Sequence, residues 1–183
     1  INSNVECDYR NEFFFSNFSN GNLSLFLISL NIQSLPAKTD KLNIFVNSIK
    51  SKFKLPEIIG LQETHLREGC PPPIITGYHP IIHKYRVHSK GGGVGLLIND
   101  TLSYVVNDHL SLFVERVFES VAADVYLGHK KITVISIYRP PSSPNLTENE
   151  SLEIFYLNLH RLLSLAPSDT YILLDSNINL MNC

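Results

Sequence analysis

Apolar residues along this chain come in two rhythms. Short continuous runs bounded by Gly, Pro and Asn alternate with segments where they recur every three or four positions. The first pattern predicts buried strands and the second predicts helices with one apolar face. The runs predict strands over 23–31, 57–63, 80–83, 93–99, 102–106, 116–126, 130–138 and 170–175. Gly128-His129 predicts the turn of a hairpin between two of them. Leu42, Phe45, Val46, Ile49 and Phe53 fall on one helical face, behind a cap at Thr39 or Asp40 and ahead of Pro56. Leu152, Phe155, Tyr156, Leu159, Leu162 and Leu163 do the same after a capping box of Thr147 and Glu150, and Pro167 closes that helix. Residues 1–22, rich in Asn and Ser, read as a leader, and 23–183 as one domain. The order is strand, helix, strand, several consecutive strands, helix, strand. That departs from the strict alternation of a doubly wound fold and predicts an α/β sandwich of two sheets with the helices outside.

Four of the apolar runs end in polar words: Ser29-Leu30-Asn31, Leu61-Gln62-Glu63-Thr64, Tyr138-Arg139-Pro140-Pro141 and Asp175-Ser176-Asn177. Strand ends are where such folds gather chemistry, because backbone pairing runs out and side chains converge. Glu63 leaves an apolar run and needs a metal, a salt bridge or solvent. Asn31 can steer that carboxylate or serve as a turn residue. Asp175 and Asn177 share a face while the chain stays extended, where they can orient water and donate to a phosphoryl oxygen; the alternative is an Asx turn. Tyr138 can bind phosphate and Arg139 can neutralise it, or the tyrosine packs and the prolines end an edge strand.

The chain has 183 residues, 44% of them hydrophobic and 17% charged, enough for a real core and too apolar for disorder. The net charge of −2 does not announce wholesale attraction to nucleic acid, so any basic footprint has to be local. The best local stretch is His83 to Lys90, with Lys90 as its candidate substrate contact; a solvated loop is the alternative. Three scattered cysteines argue against a disulfide framework and for a reducing, intracellular compartment, nuclear or cytoplasmic. The longest apolar run is too short for a bilayer, and no secretory signal is visible. Gly91 to Gly95 is not a nucleotide-phosphate loop, since no Gly-Lys-Ser/Thr follows; its glycines permit close backbone approach. His79, His83 and His88 with Cys70 lack the paired spacing of a zinc site.

Taken together, Asn31, Gln62-Glu63-Thr64, Gly91-Gly92-Gly93-Val94, Tyr138-Arg139-Pro140 and Asp175-Ser176-Asn177 resemble, in order and spacing, the endonuclease/exonuclease/phosphatase superfamily. The chain looks most like the apurinic-type endonuclease domain of non-LTR retrotransposons of the jockey and chicken-repeat kind. The resemblance implies a four-layer αββα sandwich of two mixed sheets and Mg²⁺-dependent (or Mn²⁺-dependent) cleavage of phosphodiesters. It implies Glu63 as metal ligand with Asn31 beside it, Tyr138 on the phosphate, Asp175 orienting the nucleophile and Asn177 on the scissile phosphate. Its implied partners are DNA and a reverse transcriptase domain further along the polyprotein, with no membrane.

Departures qualify that likeness. Leu174 stands where the family has Gly, Ser176 where an aromatic is common, and Asn179 where an acid often follows. The later strands, with the Asp-His pair that supplies the general base, have no counterpart after Asp175. The sandwich is therefore expected to be incomplete at its C-terminus and the chain to nick DNA little or not at all. The alternatives are a non-catalytic remnant of the fold, or a superfamily phosphatase or phosphodiesterase acting on a small phosphorylated substrate.

Overall fold

Three apolar clusters account for how the elements stack. The computed structural model describes residues 25–178, so the leader expected over 1–22 lies outside the described residues. In chain order the elements are β1 (Leu27–Asn31), α1 (Leu35–Lys52), β2 (Ile58–Gln62), β3 (Ile82–Lys84), β4 (Val94–Ile98), β5 (Ser103–Val106) and a 3₁₀ turn (Asp108–Leu110). Then follow β6 (Phe113–Val114), β7 (Phe118–Leu127), β8 (Lys130–Tyr138), α2 (Glu148–Leu165) and β9 (Thr170–Asp175). One sheet runs β1-β2-β4-β3 and the other β5-β7-β8-β9, with β6 on β7. Each sheet is mixed: β1 with β2 and β8 with β9 are parallel, and the remaining pairs are antiparallel.

Strand alternation decides which side chain enters which cluster. Ile59, Leu61 and Leu97 point from the first sheet toward Leu35, Leu42 and Val46 of α1. Ile58, Val94, Leu96 and Ile98 point the other way, into Val121, Ala123, Val125 and Val134 of the second sheet. On the far face of that sheet, Phe118, Ala122, Ile135 and Ile137 meet Phe155 and Leu162 of α2. The layers are thus helix, sheet, sheet, helix, as the sequence pattern implies. Strands β2 and β4 are buried on both faces, which is why they read as unbroken apolar runs.

The differences from expectation have local causes. Helix α1 begins at Leu35 rather than after Thr39, because Pro36 fits a first helical turn, where its missing N–H is no loss. Phe45, Tyr156 and Leu163 are exposed, so the buried stripes are narrower than the apolar spacing suggests. The capping box of Thr147 and Glu150 forms with both of its hydrogen bonds. Strand β6 and the 3₁₀ turn are too short to carry a sequence period.

The sheets approach closely because Gly60 of β2 has no side chain: a Cβ there would lie 2.6 Å from Leu173 Cδ1. The loop into β4 closes over a buried ion pair. Arg86 Nε donates to Glu119 Oε1 at 2.5 Å, with side-chain exposures of 6% and 0%. Glu119 also accepts the backbone N–H groups of Gly93 (2.7 Å) and Arg116 (3.0 Å). Gly92 must be glycine: its φ is +60°, and a Cβ would sit 2.2 Å from the Arg86 guanidinium carbon. We predict that Arg86→Met costs about 3–5 kcal/mol in urea denaturation, since it strands a buried carboxylate. A loss near zero would show that Glu119 is not held by this pair.

Candidate active site

Two parallel strand pairs deliver the polar words to the same end of the sandwich. In the first sheet Asn31 stands beside Gln62, which puts it next to Glu63. In the second sheet Tyr138 stands beside Asp175. Asn31 Nδ2 then spans the sheets: it donates to Glu63 Oε1 at 2.9 Å and to Asp175 Oδ2 at 2.8 Å. Tyr138 donates its hydroxyl to the same Glu63 Oε1 at 2.9 Å. Asn31, Glu63, Tyr138 and Asp175 therefore form one hydrogen-bonded cluster from four strand ends.

The backbone here is strained. Among the described residues, the non-glycine residues with positive φ are Gln33, Ser34, Glu63, His65, Arg116 and Asn177, and all but Arg116 follow strands of this cluster. Such conformations persist when surrounding contacts over-determine them. Those contacts are visible: Ser34 N bonds Glu63 O at 2.8 Å, Leu35 N bonds Thr64 O at 2.9 Å, and His65 N bonds Gly92 O at 2.8 Å. The Glu63-to-His65 segment is pinned between the start of α1 and the glycine loop.

Asn177 does not continue the extended chain. Strand β9 ends at Asp175, Asn177 has φ +47°, and its Nδ2 donates to the Arg139 carbonyl at 2.8 Å. The chain leaves the extended conformation at Asn177, so the shared face expected for Asp175 and Asn177 does not carry past the end of β9. Arg139 is only 1% exposed. Its Nη1 donates to the carbonyls of Ser176 (3.3 Å) and Asn177 (3.1 Å), and the guanidinium lies 5.9 Å from the centre of the Phe155 ring. Burial removes it from the role of a solvent-facing phosphate clamp and makes it the post that holds the Asn177 turn. Lys90 is exposed on the loop before β4 and makes no side-chain hydrogen bond to the cluster among the described residues.

His65, which sequence reasoning passed over, brings Nε2 to 3.7 Å from Glu63 Oε2. Its signal was its place two residues after the strand-end acid. Gln62 lies beneath the cluster, 1% exposed. Its amide nitrogen is 3.1 Å from Ser29 Oγ, 3.2 Å from Ser136 Oγ and 3.3 Å from the Leu173 carbonyl.

Glu63 and Asp175 offer the oxygen donors a hard cation takes, though no group of three or more His, Cys, Asp or Glu gathers among the described residues. Glu63 Oε1 is occupied by Asn31 and Tyr138, while no hydrogen bond engages Oε2 among the described residues. A carboxylate or two, completed by waters and substrate oxygens, is how Mg²⁺ is ordinarily held. Burial, with the Glu63 hydrogen bond and charge added, pushes the Tyr138 phenol well above its ordinary value. It therefore stays a protonated donor throughout the physiological range.

No protein-family model matches the chain, and no curated protein matches it in sequence. Solved structures do match in shape. The endonuclease domain of TRAS1, a telomere-specific non-LTR retrotransposon, superposes with a TM-score of 0.60 at 16% identity, over 86% of this chain and 61% of that one. The 3′ phosphatase NExo from Neisseria, bound to product DNA hairpin, gives 0.57 at 16%, over 84% and 58%. An AP endonuclease from Archaeoglobus fulgidus gives 0.54 at 19%, over 76% and 51%. The chain shares its fold with these nucleases and this phosphatase. The chain spans about three fifths of the length of the retrotransposon endonuclease domain. Among the described residues no helix is long and apolar enough to cross a membrane.

A tyrosine titration followed by ultraviolet difference between the wild type and Tyr138→Phe tests the electrostatics. At pH 10, about the ordinary tyrosine pKa, Tyr138 is predicted to contribute no phenolate. Half-ionisation there would contradict the burial and the Glu63 contact.

Proposed function

We propose that this chain carries the metal and phosphate ligands of a Mg²⁺-dependent phosphodiester-cleaving site that acts on DNA. In this reading it is the endonuclease of a retroelement polyprotein, and its nick primes a reverse transcriptase domain elsewhere in that polyprotein. The observation that carries the reading is the Asn31 amide joining Glu63 and Asp175 across the two sheets. Two acids brought this close from separate layers, with a protonated phenol bonded to one of them, form a site for a cation and a phosphate.

Glu63 Oε2 is the atom left to take the metal. When bound, Mg²⁺ or Mn²⁺ neutralises phosphoryl oxygens and makes bound water more acidic. Asn31 holds the two carboxylates at a fixed spacing. Tyr138 donates a proton in a hydrogen bond to Glu63 and can share it with a phosphate oxygen. Asp175 orients the attacking water, and Asn177, set in its turn by Arg139, presents its amide near the scissile phosphate. The DNA substrate is supported by the neighbours: one is a retrotransposon endonuclease and another is bound to a DNA hairpin.

A second reading, a fold that keeps its metal ligands without turning over, is favoured by Leu174 and Ser176, where the superfamily pattern differs.

Calorimetry with Mg²⁺ and with Mn²⁺ tests the proposal. The wild type is predicted to bind, and Glu63→Gln to lose binding because a hard dication needs an anionic oxygen there. Equal binding by the variant would overturn the assignment. Metal-dependent nicking of supercoiled plasmid, however slow, separates the nuclease from the silent fold.

A further inference from the structure

The loop into β4 carries cations that the strand-end cluster does not use. Residues 66–68 after β2 and 86–91 before β4 wall a cleft of about 310 Å³. Arg67, His88 and Lys90 are exposed on it. Glu68 is the acid in its lining, so the cations outnumber it. Arg86 forms part of the wall. One edge of its guanidinium is paired with Glu119, yet its buried Nη2 has no hydrogen-bond partner among the described residues. A buried cationic donor left unmet is what an anionic ligand or a bridging water satisfies.

The loop's shape is set by Glu115. That carboxylate accepts the backbone N–H groups of Val87 and His88 and the hydroxyl of Ser89. Lys90 therefore follows a braced segment, and Arg67 stands on the other wall. The cleft also adjoins the strand-end cluster: a Cβ at Gly91 would lie 3.7 Å from His65 Nε2, and His65 in turn faces Glu63.

We propose that this cleft holds a backbone phosphodiester of the DNA strand, next along from the phosphate at the Glu63–Asp175 cluster, with Arg67 and Lys90 as its contacts. The inference rests on the reading of the chain as a DNA-cleaving domain and adds the path of the strand. Net charge is −2, so the chain has no general attraction for DNA and local contacts must dominate affinity. The sequence stretch His83 to Lys90 announces half of this footprint; Arg67 joins it only in the fold.

The test is fluorescence anisotropy of a short labelled duplex with the full chain in EDTA, over a salt series. Arg67→Gln and Lys90→Gln are each predicted to weaken binding several-fold and to reduce the slope of log K against log salt by about 0.9. Lys130→Gln, at the end of β8 away from Tyr138, should change neither. Unchanged affinity and slope in the cleft variants would overturn the proposal, as would an equal loss in Lys130→Gln. Inorganic phosphate at constant ionic strength should not displace the duplex. Displacement down to the level of the cleft variants would mark a site for free phosphate instead. Metal is absent throughout, so the two readings fail separately. A chain that binds DNA through Arg67 and Lys90 but takes up no Mg²⁺ sinks the catalytic reading and leaves the cleft standing. One that binds Mg²⁺ through Glu63 but ignores the cleft does the reverse.

Discussion

Everything at this site depends on a polar seam between two apolar sheets. Hydrophobic burial holds the sheets together without direction; it does not say how they sit against each other. Gln62 does. Its buried amide finds partners on its own sheet at Ser29 and on the other at Ser136 and Leu173. Leaving such a group unpaired costs about 1–3 kcal/mol, so sliding the sheets apart or past each other is opposed at that point. Gly60 permits the approach, and Asn31 repeats the bridge one layer out, where the seam meets solvent and becomes a site.

Around the seam the fold concentrates its unusual features in one place. Left-handed backbone at Gln33, Ser34, Glu63, His65 and Asn177 falls where the strands stop. Two buried arginines brace the surroundings. Arg139 ties the Asn177 turn to α2 through Phe155, and Arg86 with Glu119 ties the glycine loop to β7. Both guanidinium groups are buried rather than presented to solvent as a phosphate clamp would be. Their work is to keep the strained segments from relaxing, and the exposed cations proposed to meet DNA are Arg67, after β2, and Lys90, on the loop braced by Glu115.

Much of this arrangement is legible in the amino-acid sequence. Strands β2, β4, β8 and β9 announce themselves as apolar runs, and the polar residues at the ends of β2, β8 and β9 prove to be neighbours because parallel pairs end together. What is not legible has a common cause: it depends on partners distant in the chain. The burial of Arg139 depends on Phe155, which arrives from a helix and not from its own strand. Glu119 sits in an apolar strand, a signal that it needs a partner, but nothing local names Arg86 as that partner. Asn177 reads as extended from alternation alone, and only the carbonyl of Arg139 shows why it turns. The early start of α1 is hidden when Pro36 is read as a strand boundary, since a first helical turn accepts it equally well.

The most direct measurement is anomalous diffraction from crystals grown with Mn²⁺. If the seam builds a metal site, a single strong peak will lie within about 2.5 Å of the Glu63 carboxylate. Asn31 will be seen between Glu63 and Asp175 in the same map. A peak elsewhere in the chain, or Glu63 and Asp175 standing apart with no metal between them, would contradict the account.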